Sequence, residues 1–96
     1  MGLDITFFIG NPNTMTAKVY GSYRNLWWVP DFFKIYDDYN GSNFEISKES
    51  LLDFIENLSN GSLRDSRKSE EILECMQKIE KEIKWDCEIP YINCWW

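Results

Sequence analysis

Histidine is absent from this chain of 96 residues. Its absence removes the commonest general base, the usual pH-sensing side chain and the commonest metal ligand. Cysteine is scarce, and Cys75, Cys87 and Cys94 include no pair at the short CxxC spacing of zinc and redox sites. Without a histidine as base, none of these thiols is prepared to act as a nucleophile. We expect reduced structural thiols, with a Cys87–Cys94 bridge in an oxidising compartment as the alternative.

Motifs that would indicate catalysis or a cofactor are missing as well. The sequence contains no glycine-rich phosphate loop, no calcium-binding run of aspartates and no apolar run near the ~20 residues that span a bilayer. Asp37 and Asp38 are adjacent carboxylates, but neighbours on a helix point about 100° apart and do not converge on one substrate. We therefore predict a protein that is not an enzyme, binds no metal or cofactor and does not enter a membrane. An enzyme of unfamiliar type is the least favoured alternative.

Aromatic residues, in contrast, are abundant. They form 17% of the chain, and nine of them fall within residues 20–44. These nine are Tyr20, Tyr23, Trp27, Trp28, Phe32, Phe33, Tyr36, Tyr39 and Phe44. A domain of this size has a modest core, so some rings should stay partly exposed, where they would suit an interface.

The net charge is −6, and it is concentrated in the middle of the chain. Residues 31–60 carry seven acidic side chains against two basic ones. Such a field repels nucleic acid and attracts basic protein surfaces, although solubility alone is an equally ordinary reason for the charge. Aromatic platforms that stack bases need basic neighbours, whereas these rings lie beside aspartates. We expect no direct binding of nucleic acid.

Alternating apolar residues predict a strand at 3–9 and a second at 15–20, interrupted by Gly21-Ser22. Short strands follow at 43–46 and 91–95, while residues 23–29 fit either a strand or a helix. Pro30 favours the start of a helix over 30–39, with Phe32, Ile35, Tyr36 and Tyr39 as its core stripe. Ser47 and Ser66 predict helices at 48–59 and about 67–85. The core stripe of the last helix comprises Ile72, Met76, Ile79 and Ile83.

These elements predict one compact α+β domain over residues 1–96. Its antiparallel sheet has three or four strands and is packed by two or three helices. The strands at 3–9, 15–20 and 91–95 are the expected sheet partners.

Two tryptophan pairs and three aspartates are the candidate protein-binding residues. In a strand, Trp27 and Trp28 would point to opposite faces, leaving one ring exposed near the acidic side chains. Trp95-Trp96 repeats the arrangement, either tucked onto the sheet or placed in an interface. The predicted contact set is Trp27, Trp28, Asp31, Asp37, Asp38, Trp95 and Trp96.

Two segments carry a resemblance to known sequences. MGLDITFF resembles the start of small phage and bacterial hypothetical proteins with an MGLD-type N-terminus, and NFEISKESLLDFIENL resembles their strand–Ser–Lys–helix segment. Together they cover about a quarter of the chain, and the tryptophan-rich segment around Trp27 departs from the pattern. The resemblance implies a phage or prophage origin and carries no function. The first segment lacks the basic region of a secretion signal, so we expect a location in the host cytoplasm.

Two functions of different kinds fit these observations. The first is a non-enzymatic inhibitor of a host defence nuclease complex, of the anti-CRISPR type, whose acidic and aromatic face occupies a basic groove of the target. The target would be a nuclease or another nucleic-acid-binding effector. The alternative is a self-associating structural or scaffold protein, with Trp95 and Trp96 buried across a homodimer.

Overall fold

The computed structural model describes residues 2–36, 39–63 and 66–96. The described residues form strands β1 (Asp4–Asn11), β2 (Thr16–Arg24), β3 (Asn43–Glu45) and β4 (Ile89–Trp95). They also form helices α1 (Trp28–Phe33), α2 (Lys48–Ser59) and α3 (Ser69–Glu82). The strands make one antiparallel sheet in the order β2-β1-β4-β3. This architecture confirms the predicted α+β fold and its sheet partners.

Strand β2 is longer than its sequence indicates. The glycine-serine pair was predicted to interrupt it, but the strand continues to Arg24. The pairing with β1 shifts register between Phe7 and Phe8, so Tyr20 is an extra residue in a β-bulge. A Cβ at Gly21 would lie 3.1 Å from the sulfur of Cys75, so glycine allows close packing against α3 there.

Helix α2 forms as predicted, whereas α3 is shorter than predicted. The Ser47 hydroxyl caps α2 by accepting the backbone N–H of Ser50 at 3.1 Å. Helix α3 begins at Ser69 after a left-handed Lys68, so the predicted cap at Ser66 is wrong. The apolar stripe of this last helix is buried as predicted.

The helix predicted at 30–39 is wrong, because α1 ends at Phe33. Lys34 adopts the left-handed conformation, with φ at 56°. The N–H of Ile35 donates to the Pro30 carbonyl at 2.9 Å, and the N–H of Lys34 donates to the backbone carbonyl of Asp31 at 3.3 Å. These two bonds form a Schellman motif, which usually places glycine at the left-handed position. A lysine at this position gives no sequence signal that the helix ends.

The early end of α1 changes which of the predicted core residues are buried. Ile35 is buried and Phe32 is half-buried, but Tyr36 and Tyr39 are exposed. Their assignment to the core is therefore wrong, because they follow the helix and do not share its stripe. Asp37 and Asp38 lie outside the described residues.

The helices cover one face of the sheet. Ile5, Phe7 and Ile9 of β1 and Ile92 and Cys94 of β4 point into the core on that side. The opposite face, which we call the open sheet face, carries cross-strand partners on three strands. It comprises Asp4, Thr6, Phe8, Val19, Ser22, Arg24, Tyr91, Asn93 and Trp95. Among the described helices, none combines the length and apolarity that crossing a bilayer requires.

Candidate functional site

The two members of the first tryptophan pair occupy different environments. Trp28 packs inward against Phe54, and its indole N–H donates to the Arg67 carbonyl at 3.1 Å. Trp27 precedes α1 and remains 48% exposed. The expected division into one packed and one exposed ring therefore occurs. Its cause is the start of a helix, since neither residue belongs to a strand.

The second tryptophan pair divides by the alternation of β4. Trp95 points to the open sheet face, is 60% exposed and lies against Gly41. Trp96 points to the helix side and is half-buried. There its ring meets Trp27 edge to face, with 6.2 Å between ring centroids.

Trp27 and Trp96 form the walls of a surface groove of about 260 Å³. We call it the tryptophan groove. Its lining residues are Trp27, Pro30, Asp31, Ile35, Tyr36 and Trp96. The structure thus brings together three of the residues predicted from sequence, Trp27, Asp31 and Trp96. It places Trp28 and Trp95 elsewhere.

Hydrogen bonds and ring contacts to other segments of the chain hold the Trp27 wall. Asn25, in a left-handed conformation, exchanges two hydrogen bonds with the backbone of Leu3, at 2.7 and 3.0 Å. This turn ends β2 and directs the chain into α1. The helix is held in turn by Phe32 and Phe33, whose rings lie 4.7 and 4.8 Å from that of Phe54. The groove therefore rests on a rigid aromatic cluster.

The Trp96 wall is held by the side-chain amide of Asn40. The amide nitrogen donates to the main-chain oxygen of Trp96 at 2.9 Å, and the amide oxygen accepts its N–H at 2.9 Å. This pair of bonds continues the sheet pairing beyond β4. It fixes the backbone of Trp96 at the edge of the groove.

The charge within the tryptophan groove is negative. Asp31 lies in the first turn of α1, is exposed, and is the one acidic side chain among the described lining residues. In the described part of the chain it takes part in none of the ion pairs. Asp37 and Asp38 follow Tyr36 in the sequence and lie outside the described residues. The groove therefore combines flat apolar walls with a negative charge that has no ion-pair partner among the described residues.

Sequence reasoning missed Tyr36, Ile35 and Asn40. Tyr36 is 67% exposed at the groove, although its spacing assigned it to a helical core stripe. The side chain of Asn40 holds the backbone of Trp96. An asparagine that could pair with a distant backbone has no local sequence signature.

The three cysteines are free. Burial raises the pKa of Cys75 to about 11 and that of Cys94 to about 12, so both stay protonated thiols at neutral pH. Burial and the neighbouring Asp86 also raise the pKa of Cys87. Another cavity, of about 440 Å³, lies between β2 and α3 beside Tyr20, Tyr23 and Cys75. The thiol in this cavity is that of Cys75. Because its raised pKa keeps it protonated, it is not activated for nucleophilic chemistry.

Within the described ranges, no three histidine, cysteine or carboxylate side chains are grouped so that they could hold a metal ion. No protein-family model, curated protein or solved structure matches the chain.

Proposed function

We propose that this chain is a non-enzymatic, acidic protein-binding domain that blocks a basic site on a partner protein through the tryptophan groove. One observation supports the proposal most directly. Trp96 is distant in sequence from Trp27 and Asp31, yet all three residues meet in one exposed groove. Aromatic anchors of this kind dominate binding energy at interfaces, and a nearby carboxylate selects a basic partner.

In its finer form, the proposal is a phage-encoded inhibitor of a host defence nuclease complex, of the anti-CRISPR type. The net charge of −6, the small size and the resemblance of two segments to small phage proteins support this form. A nuclease groove that binds phosphates presents lysine and arginine. Carboxylates compete for those side chains, while the indoles exclude water around the contact.

The direct test is affinity capture from a phage-susceptible host, followed by binding measurements with the purified partner. The test variant is Trp27→Ala combined with Asp31→Asn. The matched control is Trp95→Ala combined with Asp4→Asn, since these cross-strand neighbours are an equally exposed ring and carboxylate. Loss of about 2 kcal/mol or more, roughly 30-fold in affinity, is expected for the groove variant alone.

Equal weakening by both variants, or by neither, would contradict the groove as the binding site. Inhibition is measured separately, by adding the purified chain to the reconstituted nuclease and its DNA. If the partner still binds and cleaves DNA at full rate in the complex, the inhibitory form of the proposal fails. Charge reversal of Asp37 and Asp38 then tests whether the predicted acidic contacts contribute beside Asp31.

Self-association is the second candidate function, and a specific feature of the sheet favours it. Val19, Phe8 and Tyr91 form one cross-strand row on the open sheet face, and Trp95 lies on the same face two rows away, beyond the row of Thr6. Val19 is 62% exposed, and Phe8 stacks on Tyr91 at 5.0 Å. A second copy could cover this row. Trp96 faces the other side, so one flat interface cannot contain both Trp95 and Trp96.

Sedimentation velocity distinguishes the two candidates. A dimer that dissociates on Val19→Lys but persists in Trp27→Ala would favour self-association through the sheet. A monomer at high micromolar concentration excludes it.

A further inference from the structure

We propose that the tryptophan groove is a receptor for a single arginine side chain of the partner. The guanidinium would lie against the indoles of Trp27 and Trp96, with its charge facing Asp31. This inference rests on the proposed function, because it names the chemistry that the groove recognises. It goes beyond that function by assigning one side-chain type to one cavity.

The first argument compares aromatic rings across the molecule. Tyr20 already has lysine ammonium groups near its ring face, with Lys18 at 5.1 Å and Lys78 at 5.9 Å from the centroid. Trp85 has Lys48 at 5.8 Å. In the described residues, no lysine or arginine lies over the rings of the groove. The half-buried rings of Tyr20 and Trp85 thus carry cations from the chain itself, whereas the rings of Trp27 and Trp96 carry none among the described residues and stay available.

The second argument is charge complementarity. Among the described residues, the groove lining contains Asp31 and no basic side chain. A carboxylate next to indole rings attracts a cation by two effects, Coulomb interaction and attraction to the negative ring faces. A neutral or anionic side chain would gain neither.

The third argument concerns the shape of the cation. The groove is open to solvent, has flat aromatic walls and offers the carboxylate of Asp31. A guanidinium is planar, stacks on aromatic faces and is more weakly hydrated than an ammonium, so it loses less on entering such a site. Lysine would keep its water and bind less well. A groove of about 260 Å³ has room for such a side chain.

The test follows the indole N–H signals by NMR during titration of the intact ¹⁵N-labelled chain. The probe is N-acetyl-arginine methylamide, and the control is its neutral analogue, N-acetyl-citrulline methylamide. Arginine should shift the signals of Trp27 and Trp96, and citrulline should bind at least about tenfold more weakly. The signals of Trp28, Trp85 and Trp95 should stay in place.

Variants separate the contributions of charge and rings. Asp31→Asn should weaken arginine binding about threefold and leave citrulline unchanged. Trp96→Leu should abolish the response at Trp27, while Trp85→Phe should leave it intact. Unchanged signals of the remaining tryptophans report that each variant is folded.

Several results would overturn the arginine assignment. These are equal binding of citrulline, stronger binding of N-acetyl-lysine methylamide, an unaltered affinity in Asp31→Asn, or shifts spread over all five indoles. Failure here is distinguishable from failure of the proposed function. If the probe does not bind but the captured partner still requires Trp27, the function stands and the arginine assignment falls. If the probe binds but Trp27 is dispensable for the partner, the proposed function falls.

Discussion

The tryptophan groove and the open sheet face both expose an indole, yet their chemistry differs. On the open sheet face, Asp4 is paired with Arg24 at 3.0 Å, and Phe8 and Tyr91 cover each other by stacking. In the groove, Asp31 has no ion-pair partner among the described residues, and the ring pair is open at one side. Exposure of a tryptophan alone therefore does not distinguish a binding site from a surface that satisfies itself.

Two neighbouring residues, Asn40 and Gly41, support the two regions separately. Asn40 holds the backbone of Trp96 with two hydrogen bonds, which orients the groove. Gly41, with φ at 79°, allows the ring of Trp95 to lie where a Cβ would overlap it. The regions therefore depend on different local contacts, and substitutions should affect them one at a time.

The largest expected effect comes from removing the aromatic cluster beneath the groove. Phe54→Ala should destabilise the fold by about 3–5 kcal/mol, because a fully buried ring in contact with three others leaves a cavity. Its loss should loosen α1 and weaken partner binding at the groove. Phe8→Ala, on the open sheet face, should cost only roughly 1–2 kcal/mol, because its ring is half-buried.

Urea unfolding of both variants measures the two costs. The contrast between regions fails if Phe8→Ala is as destabilising as Phe54→Ala. It also fails if Phe54→Ala, kept below its unfolding midpoint, binds the partner as tightly as the wild type.

Gly41→Ala should affect the open sheet face more than the groove. A side chain at this left-handed position costs backbone energy and displaces the Trp95 ring, for a total of roughly 1–3 kcal/mol. Gly61→Ala is the matched control, since its φ of 87° gives the backbone cost in the helical layer, away from Trp95. The indole signal of Trp95 should move in the first variant and stay in the second. Identical NMR changes would show that Trp95 does not depend on Gly41.

Long, regular patterns explain why much of this fold could be predicted from sequence. Helix α2 matches its predicted bounds because Ser47 caps it and its buried residues recur at helical spacing. Strands β1 and β4 were found because alternation persists over most of their length. Such signals are local and repeated, so each confirms the others.

The errors occurred where the backbone departs from the regular pattern without a typical residue to mark the departure. Lys34 and Lys68 adopt left-handed conformations that the sequence marks by no glycine or asparagine, and β2 passes through a bulge that looks like a strand end. The misplaced end of α1 removed Tyr36 from the candidate site. Trp27, Asp31 and Trp96 belong to the predicted contact set, but only the fold could show that they line one groove.

Cys94 is a buried residue of β4, the strand that carries Trp95 on the open sheet face and leads to Trp96 in the tryptophan groove. Its packing therefore stabilises both regions. Its folded pKa of about 12 lies above the ordinary value of 9.0. The unfolded thiol therefore loses its proton first as pH rises. Stability is intact below pH 9 and should then fall by about 1.4 kcal/mol per pH unit for this group. Urea unfolding of wild type and Cys94→Ala between about pH 9 and 11 measures the difference in slope.

The alanine variant is less stable at neutral pH, so the comparison concerns the slopes and not the absolute free energies. Cys75 and Tyr23, whose pKa values burial raises to about 11 and 12, contribute equally to both proteins and cancel. Parallel curves would show that the Cys94 thiol is not protected by the fold. The groove and the open sheet face should be lost together in this transition.

The smallest effects on stability are expected from substituting Asp4 on the open sheet face and Asp31 in the tryptophan groove. The effects of these two substitutions on partner binding should differ most. Asp4→Asn removes an exposed ion pair with Arg24 and should cost about 0.2–1 kcal/mol. Asp31→Asn removes a favourable charge in the first turn of α1 and should cost about 0.3–1 kcal/mol. Thermal unfolding should thus barely separate the variants, whereas affinity for a basic partner should fall only in Asp31→Asn and approach the wild type at high salt. Equal affinity losses would mean that both regions attract the partner through net charge alone, and that the unpaired state of Asp31 has no functional consequence.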